Sequence, residues 1–392
     1  MNDHLGALDL PLTRWDVVIA GAGPAGALLG YLLARRNWRV LIADRSAFPR
    51  DKVCGGCLNG RALAALESAG LGGLPRKHGS APLERFRLST GRAGAELPLP
   101  AGEAISRRAL DAALAQSAVD AGAAFVTKTR VKAGPAREGA RPIALRRSKD
   151  EMEVQAHCFV DASGLSGNVW QEEGPARRVD AKSRIGAGVI VEGECPEYAR
   201  GCIHMAWAPQ GYVGLARVEG GKLNAAAALD PDWVRAEGGM AAAAAAVLAH
   251  AGWPVPKELE EAPWKGAPSL TVRRHPVARE RAFVFGDAAG YVEPFTGEGM
   301  AWAMCGAHAL APIIDELLTE GYQPRHAQAW TQAHARLVRR RQRVCVWVAR
   351  TLRHPAAVHL CLHALRMTPV FAMPLLNHIN GGALASAGRI TP

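Results

Sequence analysis

Three glycines and one acid carry the first chemical signal. Gly21-x-Gly23-x-x-Gly26 is followed by Asp44, and residues of these types at this spacing bind a dinucleotide. Gly21 permits a tight turn, Gly23 lets backbone approach a pyrophosphate, and Gly26 lets a helix pack close on its strand. Pro24 and Ala25 open that helix, whose N–H groups and positive dipole end suit phosphate oxygens. Asp44 can accept two ribose hydroxyls and would repel a 2′-phosphate. The motif needs a strand, a turn, a helix and a second strand around it. The apolar run from Asp16 to Ala20, a helix from about Ala25 to Arg36 with Leu28, Leu29, Leu32 and Leu33 inward, and a strand from Trp38 to Ala43 supply them.

A second signal begins at Gly286-Asp287. A strand from Arg281 to Phe285 ends there, a loop with Pro294 and Gly297 follows, and a helix runs from near Glu298 to Leu318. Asp287 can accept the hydroxyls of a ribityl chain. The start of the helix, at Glu298, Gly299 and Met300, would stabilise negative charge on the edge of a reduced flavin. Asp44, Asp161 and Asp287 each follow a strand-like run, as groups on the rim of a parallel sheet do.

With 392 residues the chain can hold two or three interlocked units. Its charged and hydrophobic fractions, 21% and 49%, are those of a folded protein. The formal charge of +11 suits an anionic cofactor or membrane surface, and no basic tract interleaved with aromatics points to nucleic acid. The first residues lack a signal-peptide pattern and no window is apolar enough to span a bilayer. A cytoplasmic protein, or one peripheral to the inner membrane, is expected. Eight scattered cysteines suit reduced thiols.

Along the chain, a helix is expected from near Asn59, a strand at Arg85 to Ser89 with a turn at Gly91, an amphipathic helix from Ser106 to Val119, and strands at Phe125 to Lys132 and Val154 to Asp161. From 180 to 230, runs at Arg184 to Val191, Tyr212 to Val218 and Leu223 to Ala228 read as an antiparallel sheet. Asp232 to His250 and the basic remainder to about His378 read as helical. The expected fold class is α/β: a three-layer Rossmann-type dinucleotide domain with an inserted antiparallel substrate sheet and C-terminal helices. The dinucleotide domain is discontinuous over 1–80, 102–178 and 275–318. Residues 81–101 and 179–274 form the sheet domain, and 319–392 the helical region.

Taken together, GAGPAG with its acid, Ser106-Arg107-x-x-Leu-Asp111, Asp161-Ala-Ser-Gly164 and the Gly286 to Met300 stretch resemble the para-hydroxybenzoate hydroxylase fold group of flavoproteins. Phe48-Pro-Arg-Asp-Lys-Val-Cys-Gly-Gly56 is similar to its geranylgeranyl reductase branch. The resemblance implies FAD. It implies that Gly21, Gly23 and Gly26 face the pyrophosphate and Asp44 the adenosine ribose, with Pro24, Ala25 and Arg45 also in the cofactor site. Arg107 would contact the phosphate or ribityl region, Asp161 and Gly164 would lie in the cofactor site, Asp287 would bind the ribityl chain, and Gly297 to Met300 would lie beside the isoalloxazine. For Arg107 a solvated helix charge, and for Asp161 a turn or cap acid, are the plain alternatives.

The chain departs from the branch in two places. Where a Tyr-x-Trp-x-Phe-Pro signature covers the substrate, this chain has Tyr212 but Gly214 in place of Trp. Cys-Gly-Gly-Gly is here Cys54-Gly-Gly-Cys57. Cys54 is expected to line the flavin pocket and is a candidate participant in the chemistry, with Cys57 a small turn residue. A redox pair is the alternative, and no partner for a metal is seen. A Trp-x-Trp-x-Ile-Pro halogenase motif is absent. His204 and His275 read as structural. The stretches Val344 to Ala349, His359 to Leu365 and Met367 to Ile379 form a wall or lid over a hydrophobic substrate, dock on a membrane, or pack against the flavin domain.

The expected activity is an FAD-dependent reductase or dehydrogenase that passes a hydride between flavin N5 and an apolar small molecule, with Tyr212 at the substrate. The alternative is a monooxygenase that hydroxylates an aromatic or polyketide-like substrate through a C4a-hydroperoxide, and a halogenase is the lesser one. No second nucleotide motif exists, so NAD(P)H or a separate reductase protein is the expected electron donor.

Overall fold

A computed structural model describes residues 10, 13–172, 174–193, 195–293 and 295–367. The strand Arg14–Ala20 is its centre. Val17, Val18 and Ile19 are completely buried, as are Val40, Leu41 and Ile42 on the neighbouring strand Val40–Ala43. Apolar side chains on both faces require covering on both faces, which is the condition for parallel strands. The parallel order is Ala282–Val284, Asp150–Asp161, Arg14–Ala20, Val40–Ala43, Ala124–Val126. The helices Pro24–Ala34, Arg107–Asp120 and Gly299–Glu320 pack together on this sheet. An antiparallel hairpin, Arg130–Ala133 with Arg141–Arg147, branches from the first half of Asp150–Asp161.

A second sheet runs Lys265–Ser269, Ile185–Val191, Leu223–Leu229, Gly211–Arg217, Cys202–Ala208, Arg85–Ser89, Gly94–Pro98. Its pairs are antiparallel except Cys202–Ala208 with Arg85–Ser89. Three of these strands, Cys202–Ala208, Lys265–Ser269 and Gly94–Pro98, escape pattern reading. Lys265–Ser269 contains Pro268, which reads as a strand breaker but is tolerated because this strand is the sheet edge. Gly94–Pro98 is the other edge.

Two expectations are corrected. Phe125 to Lys132 is not one strand: the chain turns at Lys128, with φ +53°, and Thr129 N–H donates to the Asp44 carbonyl at 2.9 Å. Asp232 to His250 is two helices, Pro231–Ala236 and Met240–His250, because Gly238 and Gly239 adopt positive φ between them.

Beyond Glu320, helices Pro324–His334, Arg340–Thr351 and Pro355–Met367 follow. Val348, Leu352, Val358 and Leu362 are buried against the second sheet, and Trp207 Nε1 donates to the Leu352 carbonyl at 2.9 Å. Helix Pro324–His334 instead packs on the dinucleotide domain, where Trp330 Nε1 donates to the Val284 carbonyl at 3.1 Å, so the helical region is shared between the two sheets. The stretch 368–379 lies outside the described residues. Among the described residues no helix is long and apolar enough to cross a membrane.

Candidate active site

The parallel strands deliver their acids to one rim, because Ala20 is in register with Asp161 and Asp161 with Val284. Asp44 is held ready there. Its carboxylate accepts the Ala22 N–H at 2.9 Å and the Ser46 N–H at 2.9 Å, and Arg50 lies 3.5 Å away. Gly23 caps the first helix without a side chain. A Cβ on Gly23 would lie 3.3 Å from Arg107 Nη2 and 3.8 Å from Arg50 Nη2. Backbone amides at a helix start therefore face two guanidinium groups, which is the donor set a pyrophosphate needs.

Arg107 itself is buried. It donates to Asp111 at 2.7 and 2.8 Å, and Arg50 reaches the same carboxylate at 3.1 Å. Burial works against the Arg107 charge, but the paired Asp111 carboxylate holds it firmly protonated. Lys52 Nζ lies 3.3 Å from Asp287 Oδ2 across the cleft. Arg50 and Lys52 were not legible as site residues. Their signal was membership of the Phe48 to Gly56 stretch, which gave them no role of their own.

All of this lines one cavity of about 1110 Å³, a volume large enough for a dinucleotide cofactor with a second molecule. Gly21, Gly23, Pro24, Ala25, Asp44, Arg45, Cys54, Arg107, Gly164, Asp287, Gly297, Gly299 and Met300 all face it. Its far half is apolar, with Phe86, Leu88, Leu97, Met205, Phe295 and Leu365 among its walls. The donor set and this space fit FAD.

Three expected site residues stand elsewhere. Gly26 is turned to its own strand: a Cβ there would meet the Gly21 carbonyl oxygen at 1.9 Å, so it serves packing and not the cavity. Asp161 is fully buried beneath the rim. One carboxylate oxygen accepts from the Ser163 N–H and Oγ–H and the other from Trp170 Nε1–H at 2.9 Å, so the carboxylate ties a turn and cannot reach a cofactor. Glu298 points inward to Arg341 at 3.3 Å and Cys345 at 3.4 Å, so only its backbone belongs to the helix start. Pro294 lies outside the described residues.

The cysteines of the Cys54-Gly-Gly-Cys57 motif are free. Cys57 opens the short strand Cys57–Asn59 and is not a turn residue. Burial, with the neighbouring Cys54, pushes its thiol up to about 12, so no thiolate stands there at neutral pH.

Tyr212 is a polar residue among the apolar walls of the cavity. It is 4% exposed, its hydroxyl has no hydrogen-bond partner, and it borders the cavity. Phe295 meets its ring edge-on at 5.1 Å, and the Arg184 guanidinium lies 5.7 Å from the ring centre. Arg184 is fixed in turn by Glu293 at 2.9 Å and by the Pro209 carbonyl. Burial raises the Tyr212 phenol well above its ordinary value, so it remains a hydrogen-bond donor. Beside it, Gly214, Ala226 and Ala228 leave the sheet face without bulk.

His204 sits on the opposite side of the same sheet, between the rings of Tyr198 and Trp253 at 5.3 and 5.1 Å, and does not border the cavity. Burial lowers it to about 4, so it is neutral when folded. An unfolded histidine titrates near pH 6.5. Its contribution to stability is therefore complete above about pH 6.5 and is lost as the pH falls toward 4. His204→Phe should flatten this acid limb by ~2 kcal/mol in urea unfolding compared at neutral and acid pH. An unchanged slope would show that the ring is not held neutral.

Comparison with known proteins gives the same picture. A menaquinone reductase of Mycolicibacterium smegmatis is 36% identical over 129 residues, 30% of this chain and 30% of that protein. The match thus spans about a third of that relative's length. A digeranylgeranylglycerophospholipid reductase of Methanothermobacter thermautotrophicus is 26% identical over 326 residues, 79% of this chain and 80% of that protein. Among solved structures, p-nitrophenol 4-monooxygenase from Pseudomonas putida superposes with a TM-score of 0.77 at 14% identity, over 94% of this chain and 99% of the other. A flavin-dependent brominase gives 0.76 at 18%, over 96% of each chain. At such identities these two structures establish the fold alone. The family described as FAD binding domain matches residues 14–213, about half of the chain, and the protein belongs to it.

Proposed function

We propose that this oxidoreductase acts as a reductase or dehydrogenase on a hydrophobic small molecule held over the flavin. The observation that carries the reading is the continuity of one cavity from the polar cradle at Gly23, Asp44 and Arg107 to an apolar chamber closed by the second sheet and the C-terminal helices. The two reductase relatives support the direction of the chemistry. Bound FAD supplies hydride chemistry at N5.

On this reading the chain binds and orients. Gly21, Gly23 and the amides of Pro24–Ala34 hold the pyrophosphate, with Arg107 and Arg50 meeting its charge. Asp44 holds the adenosine ribose and Asp287 the ribityl chain. The N-terminus of Gly299–Glu320, reached through Gly297, stabilises negative charge on the edge of the ring. Phe86, Leu88 and Phe295 exclude water, and the Tyr212 hydroxyl donates a hydrogen bond to an oxygen of the substrate. Cys54 borders the ring. Electrons come from NAD(P)H docking transiently or from a separate reductase protein.

The test is turnover by reduced holoenzyme without oxygen, with polyprenylated quinones as probes and mass spectrometry as the readout. A gain of two hydrogens is expected. A strict need for oxygen with gain of an oxygen atom would establish the hydroxylase alternative. Tyr212→Phe should keep its flavin and lose roughly tenfold in kcat/KM, the worth of one hydrogen bond at about 1–1.5 kcal/mol. An unchanged kcat/KM would remove Tyr212 from substrate binding.

A further inference from the structure

The net positive charge of this protein lies almost wholly at one end of its chain. Ten of the 47 Lys and Arg residues lie beyond Glu320 and none of the 36 Asp and Glu does. The first 320 residues are therefore nearly neutral, with 37 basic against 36 acidic residues. Such asymmetry marks a surface built for an anionic partner.

The structure gathers much of that charge on one line. Helix Pro324–His334 continues through Ala335–Arg339 into Arg340–Thr351. Arg336, Arg339, Arg343, Trp347 and Arg350 are exposed along it at intervals of three and four, which places them on one face. Trp347 is 66% exposed although it also lines the cavity, so it stands at the cavity rim. The next helix brings Cys361 and Leu365 to the same cavity and leaves Leu360 71% exposed. The apolar chamber thus opens beside an exposed tryptophan and leucine flanked by arginines.

We propose that this face docks on an anionic lipid bilayer, with the cavity mouth turned to the membrane. Arginine gives attraction to acidic headgroups, and Trp347 and Leu360 give apolar anchors at the depth where headgroup meets acyl chain. An acidic protein or a nucleic acid would also meet the arginines. Neither explains two large apolar side chains left in water at the entrance to an apolar chamber. A substrate dissolved in the bilayer would enter without crossing water. The docking goes beyond the reductase reading and is read without turnover, so either can fail alone.

The experiment is sedimentation of the FAD-loaded protein with vesicles of phosphatidylcholine, alone or with one-third phosphatidylglycerol. Binding to the anionic vesicles only, released by high salt, is expected. Arg339→Gln/Arg343→Gln/Arg350→Gln should lower the partition on the order of 100-fold, near fivefold for each basic residue lost, with flavin content unchanged. Trp347→Ala should weaken binding to the anionic vesicles at low salt, with flavin content unchanged. The docking is overturned by equal binding to neutral vesicles, by a triple variant that still sediments, or by a tighter hold on duplex DNA or an acidic ferredoxin than on vesicles.

Discussion

Gly26→Ala is expected to give protein that is nearly colourless and melts far below the parent. The added Cβ would fall 1.9 Å from the Gly21 carbonyl oxygen and 3.1 Å from Ile19 Cγ2. Backbone cannot swing away as the end of a side chain can. Gly21 is itself fixed, with φ +105° and the Ala162 carbonyl oxygen only 2.4 Å from where its own Cβ would stand. The helix would have to lift off its strand, and the amides that face Arg107 and Arg50 would lift with it. A cost of about 3 kcal/mol or more is expected, at the upper end for overpacking. Gly30→Ala on the same helix is the control. There the neighbour at 2.5 Å is Ile42 Cδ1, the tip of a side chain that can turn. Thermal unfolding and the ratio of flavin to protein absorbance decide the matter. A Gly26→Ala protein as yellow and as stable as Gly30→Ala would contradict the close helix–strand contact.

Arg107→Met should lose FAD affinity by about 100-fold and, separately, about 3 kcal/mol of stability. The stability loss follows from Asp111, which is completely buried and would keep only Arg50 at 3.1 Å. A buried carboxylate that loses a two-point partner costs roughly 3–5 kcal/mol. The affinity loss follows from a charged donor withdrawn from a pyrophosphate, where charge-assisted bonds are about twice as strong as neutral ones. The double variant Arg107→Met/Asp111→Leu separates the two effects. It should recover most of the stability because no lone charge is left, yet still bind FAD weakly. Titration with FAD by fluorescence and urea unfolding are the two readouts. Recovery of FAD affinity in the double variant would reduce Arg107 to a partner of Asp111.

What could be read from the residues was whatever depends on neighbours in sequence. Gly21, Gly23, Gly26 and Asp44 lie within one strand–turn–helix–strand unit, so their spacing alone carries the dinucleotide signal. The same holds for Ser106, whose hydroxyl accepts the Ala109 N–H to start the helix Arg107–Asp120, and for the turn at Gly91. The strand at Lys265–Ser269 was hidden by Pro268, since only its place at the edge of a sheet makes that residue tolerable.

Direction was the part that local sequence could not determine. Asp44, Asp161 and Asp287 look alike as acids after strands, yet Trp170 and Ser163 take the carboxylate of Asp161 into the interior. Glu298 was read with its glycine neighbours, but Arg341 and Cys345, more than forty residues later, turn its side chain away from the cavity. Arg50 and Lys52 became site residues because Asp44, Asp111 and Asp287 come from three distant segments to meet them. By itself the sequence determined a dinucleotide unit, an inserted sheet and a basic helical end, since periodicity and glycine spacing act over a few residues. The tertiary structure alone decided which polar groups face the cavity and which are consumed inside, because a buried charge or donor must be satisfied by whatever packing brings to it.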